Sequence, residues 1–203
     1  MERLYISNEN KTARMFESDF MEFFSHVHPA TPLALYLPVI GYMFYAAVWQ
    51  RRLSILAIAG LFALGIVFWT FFEYVMHRYV FHYEPKSRSG KILHFIVHGV
   101  HHDYPNDASR LVMPPVISIP LAILFYWLFV LLFGQFASAI FGGFVFGYVC
   151  YDTIHYATHH FAIKDGIWLR IKQHHLRHHY KDDHSGYGVS SPLWDYVFRT
   201  TRK

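Results

Sequence analysis

The chain has 203 residues, 54% of them hydrophobic and only 16% charged, with a formal net charge of +4 at pH 7. Soluble domains carry about 25% charged residues, so a wholly water-exposed globule is excluded, and the modest basic excess gives no reason to invoke nucleic acid. Sixteen histidines stand beside a single cysteine, Cys150, which excludes an internal disulfide and a zinc–thiolate cluster.

Residues 1–30 form an N-terminal segment that begins Met-Glu-Arg-Leu, without the basic start and small-residue cleavage site of a signal peptide. Phe16, Phe20, Phe23, Phe24 and Val27 recur at helical spacing, and Glu17, Asp19 and Glu22 lie off that face. A short helix lying on a membrane surface fits this pattern, and so does a helix packed on the rest of the domain.

Residues 31–203 read as one membrane domain. An apolar stretch over about 33–49 predicts the first helix, and Gln50-Arg51-Arg52 a tight turn. From Leu53 to Phe72 there are 20 residues without a charge, and the helix is expected to continue to about His82. From Leu111 to Tyr151 there are 41. About 20 apolar residues cross a bilayer core, so this run holds two helices, about 112–133 and 137–160, parted at Gly134-Gln135. The expected fold is therefore an all-α integral membrane protein with four transmembrane helices in two hairpins. Of the 18 Lys and Arg residues only Arg51 and Arg52 lie at the hairpin tips. The positive-inside rule makes the other side cytosolic, and the histidines lie there or at its membrane boundary.

Ten histidines make a constellation: His77 and His82 in EYVMHRYVFH, His98, His101 and His102 in HGVHH, His155 and His159 in HYATH, and His175, His178 and His179 in HLRHH. Residues three and four apart on a helix are neighbours, so each His-x-x-His-His makes a three-imidazole face, and His155 faces with His159. His77 and His82 are five apart, about 140° round an α-helix at 100° per residue. Either they serve different metals or the helix bends between them. Ten imidazoles exceed one ion and suit two, five each, with a position left open as catalytic sites require. Imidazole suits Zn, Cu, Fe and Ni. His26, His28, His94, His160, His174 and His184 read as ordinary polar residues: His160 and His174 break the shared spacing, and His94, one turn before His98, is also placed to support a ligand from outside. Glu73, four before His77, and Asp152, three before His155, are placed to accept an imidazole N–H and orient the ligands. Asp107 with Arg110, and Asp195, are candidates for pinning the loop before the third helix and the C-terminal segment.

EYVMHRYVFH, HGVHHDYPNDASRLVMPP, YDTIHYATHH and HLRHHYKDDHSGYGVSSPLWDYVF together resemble the fatty acid hydroxylase and sterol desaturase superfamily, most closely its fatty acid 2-hydroxylases, over about residues 70–200. The resemblance implies four transmembrane helices under a cytosolic dimetal cap, with the ten histidines as ligands. It also implies activation of O₂ at a nonhaem diiron centre and hydroxylation at carbon 2 of a fatty acyl chain, free or sphingolipid-type. Zinc outranks iron(II) in intrinsic affinity for such donors, so zinc is able to replace iron on purification. The b-type cytochrome domain of eukaryotic relatives, with its His-Pro-Gly-Gly signature, is missing, so a separate electron-donor protein and a bacterial inner-membrane setting are expected. A sterol or carotenoid hydroxylase or desaturase of the same superfamily is the alternative. A zinc hydrolase is disfavoured because no His-Glu-x-x-His is present. A haem carrier needs one or two axial histidines, and a metal transporter needs ionisable ligands within the bilayer, which these crossings largely lack.

Overall fold

The computed structural model describes residues 4–201, and the Met-Glu-Arg start and final Arg-Lys of the sequence reading lie outside them. The described chain is all-helical. The helices are α1 (Asp19–Ser25), α2 (Thr31–Tyr45), α3 (Ile55–Met76), α4 (Arg88–His94), α5 (Val100–Asp103), α6 (Pro115–Phe133), α7 (Ala137–His160), α8 (Gly166–Tyr180) and α9 (Leu193–Val197). Three π-helical turns interrupt them, at Ala46–Gln50, His77–Phe81 and Phe95–Gly99. Local chemistry sets the starts and stops. Ser54 caps α3 by accepting from the Ala57 N–H, Pro32 and Pro115 sit in first turns where a missing N–H costs nothing, and Gly134 ends α6 at φ 52°. Between and after the long apolar helices, α5 carries His101 and His102, the π turn before it carries His98, and α8 carries His175, His178 and His179.

Among the described residues three stretches are long and apolar enough to cross a membrane: Thr31–Gln50, Ile55–Phe81 and Pro115–His160. The third folds back on itself, because Tyr126 meets Phe141, and Phe125 and Phe129 meet Phe144, across the Gly134 turn. Outward faces are apolar: Leu56, Leu124, Trp127 and Leu131 are all exposed. Such a surface suits lipid rather than water.

α7 is the central element, buried along most of its length and packed on α2, α3 and α6. Its contact with α3 is backbone to backbone. A Cβ on Gly65 would lie 2.0 Å from the Ile140 carbonyl, and one on Gly143 would lie 2.0 Å from the Phe62 carbonyl. Small residues permit this approach, and between membrane helices such packing holds where the hydrophobic effect does not. Trp69, Phe72, Phe125, Phe129 and Phe144 fill the space beside it with edge-on and tilted rings. The π turn that follows α3 carries His77, and the last turns of α7 carry His155 and His159.

The N-terminal segment is a strap over the loop that follows α5. Ile6 and Ser7 donate to the Asp103 carbonyl, and the Thr12 hydroxyl donates to Asp107. Glu22 accepts from Arg110 at 2.6 Å and from the Met15 and Phe16 N–H groups. Burial alone would raise the Glu22 pKa, but those N–H donors, His26 and Arg110 bring it down to about 2. α1 is shorter than the phenylalanine spacing suggests, since Phe16 and Val27 fall outside it. Phe20 and Phe23 remain exposed, and Val27 is buried with its N–H on the Ser109 carbonyl.

Candidate metal centre

The ten histidines converge in two groups of five. His77, His82, His98, His102 and His178 form the first, and His101, His155, His159, His175 and His179 the second. Within each group one nitrogen per ring lies within 4.8 Å of all the others. A metal held at about 2.1 Å puts opposite nitrogens about 4.2 Å apart, so each group is of a size to enclose an ion. The groups share a wall: the rings of His102 and His179, one from each, stack 4.3 Å apart.

Three local features build this arrangement. First, His77 and His82 belong to one group, although five residues apart. The α winding gives way to a π turn at His77–Phe81, closed by the His82 N–H on the His77 carbonyl at 3.2 Å. The wider winding carries His82 back to the side of His77. Second, each His-x-x-His-His triplet is divided rather than making one face. His98 and His102, four apart, enter the first group and His101 the second, whereas His175 and His179 enter the second and His178 the first. Positions i and i+4 project in nearly the same direction, but adjacent residues diverge by about 100°. The doubled histidine thus reaches both groups. Third, His155 and His159 sit one turn apart on α7, opposite His175 and His179 on α8.

The electrostatics suit a cation. Burial, followed by neighbouring imidazoles, holds His98, His101, His102, His175 and His179 well below the ordinary histidine value. Burial also lowers His178 and brings His82 down to about 3. These rings are neutral at pH 7 and offer lone pairs.

The hydrogen positions sharpen the point. His77 Nδ1 faces the Tyr187 carbonyl at 2.5 Å, and His178 Nδ1 faces the Ser185 carbonyl at 2.8 Å. A carbonyl only accepts, so both Nδ1 atoms carry hydrogen and both Nε2 atoms are lone pairs. Yet His82 Nε2 lies 3.2 Å from one and 2.9 Å from the other, and His77 Nε2 also lies 3.1 Å from His98 Nε2. One proton on His82 cannot serve both neighbours. In the second group, Nε2 atoms meet at 2.9 Å between His101 and His155 and between His159 and His175, and at 3.1 Å between His175 and His179. Lone pairs gathered this closely fit a metal ion at each focus.

The carboxylates act differently from the sequence expectation. Glu73 accepts no imidazole N–H. It takes the Val189 N–H at 2.7 Å, the Ser190 N–H at 2.8 Å and the Ser190 hydroxyl at 2.5 Å. Three converging donors hold it, and the N–H of His77 turns to the Tyr187 carbonyl instead. Asp152 is buried with one oxygen lacking a hydrogen-bond partner. Its neighbours are Tyr148 and the Met113 backbone, not a histidine, since its short side chain stays on the membrane side of His155. Asp107 and Arg110 stand 3.3 Å apart under the strap. Asp195, fully buried, accepts from the Tyr187 and Gly188 N–H groups and the Thr200 hydroxyl, and stands 3.1 Å from His174 Nε2. His26 bonds Ser109 and Glu22, His28 accepts the Ala30 N–H, His160 stacks on Tyr156, and His184 faces Asp183; these, His94 and His174 lie outside both groups. The sequence reading missed the loop 185–190, whose contribution is made by backbone carbonyls and leaves no side-chain signature.

Fold and site together define a histidine-rich metal-binding protein of membrane character, built on apolar helices with the ligand set at their ends. Residues 62–200 match the model of a family described as fatty acid hydroxylase, and the chain belongs to that family. It is 40% identical over 189 residues to a dihydroceramide fatty acyl 2-hydroxylase of Arabidopsis thaliana, covering 92% of this chain and 79% of that protein. It is 38% identical to a fatty acid 2-hydroxylase of Mus musculus, again over 92% of this chain but only 56% of the relative. Among solved structures it is similar to one described as full-length scs7p with only the hydroxylase domain visible, with a TM-score of 0.85 and 37% identity, covering 91% of this chain and 70% of that one.

Proposed function

We propose that this chain is an O₂-dependent lipid hydroxylase that places a hydroxyl on carbon 2 of a fatty acyl chain, free or sphingolipid-type. The observation that carries the reading is the pair of five-imidazole groups in a chain of this family. The relatives are named for 2-hydroxylation of fatty or dihydroceramide acyl chains, which supports the same carbon here. The ten histidines are the ligands of two metal ions, iron in the working enzyme and zinc as a purification substitute. When bound, the metals supply O₂ activation and C–H oxidation. Conversion of C–H and O₂ to C–OH and water requires two electrons and two protons from outside. A separate donor protein supplies the electrons.

The protein's own part is positioning. Four crossings, with Pro115–His160 counted as a hairpin of two, set the histidines at one membrane face. The excess of Lys and Arg away from Arg51 and Arg52 supports a cytosolic location for that face. Residues 31–203 act as one hydroxylase domain, and residues 1–30 serve as an interfacial segment with Phe20 and Phe23 toward lipid. The acyl tail enters between the helices, and its head stays at the interface.

The test is lipid mass spectrometry on cells expressing the intact chain or His178→Ala, grown with iron and air and supplied with donor protein. One added oxygen at carbon 2, seen only with the intact chain, is expected. Oxidation of a sterol or carotenoid instead, or equal product from both chains, overturns the reading.

A further inference from the structure

The two histidine groups contain the same kind of donor but are supported from outside in unlike ways. Behind the first group runs the loop Ser185–Ser190. Its carbonyls at Ser185 and Tyr187 take the Nδ1–H of His178 and His77, which fixes both tautomers and aims both Nε2 lone pairs inward. The Tyr187 ring lies 5.5–5.9 Å from the rings of His77, His82 and His178. The loop is buckled at two points by buried carboxylates. Asp195 takes the N–H groups of Tyr187 and Gly188, and Glu73 takes those of Val189 and Ser190. Gly188 admits no side chain, since a Cβ would lie 2.1 Å from the Ser191 carbonyl and 2.9 Å from the Asp195 carboxylate.

Behind the second group there is no such template. The Nδ1 atoms of His159, His175 and His179 are buried with no protein acceptor. That of His155 is approached by the Leu111 carbonyl without completing a hydrogen bond. Among the described residues no completed hydrogen bond fixes the Nδ1 side of these rings, and helix packing with the neighbouring imidazoles orients them.

We propose that the two metal positions are held unequally. The first is a retained site, locked by the loop that Glu73 and Asp195 clasp. The second is an exchangeable site that fills last and empties first. Glu73 and Asp195 are positioning residues that act through the loop on His77 and His178, and touch neither metal nor substrate. The proposal rests on the two-metal reading above, and concerns affinity rather than turnover.

The experiment is metal release from the purified full chain loaded with zinc, challenged with a chromophoric chelator and checked by counting bound metal. Two phases of one metal each are expected, with His175→Ala abolishing the fast phase. Asp195→Asn turns one acceptor into a donor facing the loop N–H groups. It should speed the slow phase about 10–100-fold, the range for lost outer partners of metal ligands, and leave the fast phase unchanged. Ser190→Ala removes only the hydroxyl bond to Glu73 and should speed the slow phase by a smaller factor. An unaltered fast phase shows in the same trace that each variant is folded. Release of both metals in one phase, or acceleration of both phases together, overturns this inference and leaves the two-metal reading standing. A wild-type chain that binds no zinc overturns both.

Discussion

The first histidine group draws on the π turn after α3, the π turn before α5, α5 itself and α8, with a loop pressed against it; the second is made wholly on α5, α7 and α8. Regular helices bring imidazoles together by periodicity, as His155 with His159 and His175 with His179. Where periodicity fails, as for His77 and His82, the chain uses a local change of winding and a backbone loop. The irregular group is thereby the better supported one, because the loop presents to it carbonyls of a kind that α-helices spend internally.

Removing a ligand from either group should give the largest effect. His178→Ala and His175→Ala are each expected to abolish hydroxylation and to lower bound metal from two to one, lost from different groups; wild-type turnover in either would break the ligand assignment. Next comes Gly188→Ala, whose Cβ collides with the Ser191 carbonyl and the Asp195 carboxylate. About 10–100-fold weaker metal binding is expected at the first group alone, measured by chelator competition. Gly143→Ala probes the frame beneath both groups. Forcing α3 away from α7 should cost about 1–3 kcal/mol of stability and lower both metal affinities alike in a thermal melt with metal counting. The smallest effect belongs to the strap. Glu22 holds its charge down to about pH 2, below the ordinary 4.5. Its contribution is therefore present above pH 4.5 and is lost as pH falls toward 2. Glu22→Gln should remove that acid sensitivity and about 1 kcal/mol at neutral pH, with both metals retained.

The position of α7 is legible in the sequence, because Gly134-Gln135 breaks the uncharged run of residues 111–151 and His159-His160 come at the end of the helical stretch. The sequence singles out the ten histidines by their repeated spacing, and the same ten come together in the structure. It does not carry their division. Residues at i, i+3 and i+4 are neighbours on a helix surface but point along different lines, and only the packed neighbours decide which lines meet. The π turn at His77–Phe81 is equally silent, because an i to i+5 bond is chosen by what the helix end must reach. Glu73 is legible only as a carboxylate four residues before His77. Its true partners, the Val189 and Ser190 N–H groups, lie more than a hundred residues away, beyond any local pattern.

The bond from the His82 N–H to the His77 carbonyl makes the helix end a wound spring. Its relaxed form is the α winding, one residue tighter, in which the two rings separate by about 140°. Holding them in one group keeps the spring open, and an ion gripped by both rings, as proposed above, would be the latch. The latch would be reciprocal: whatever favours the wider winding tightens the grip, and metal binding should slow exchange of the His82 amide with solvent. A single-residue deletion among positions 78–81 sets the two histidines four apart, where the α winding itself keeps them on one side. It should leave the first group able to hold its ion without the π turn.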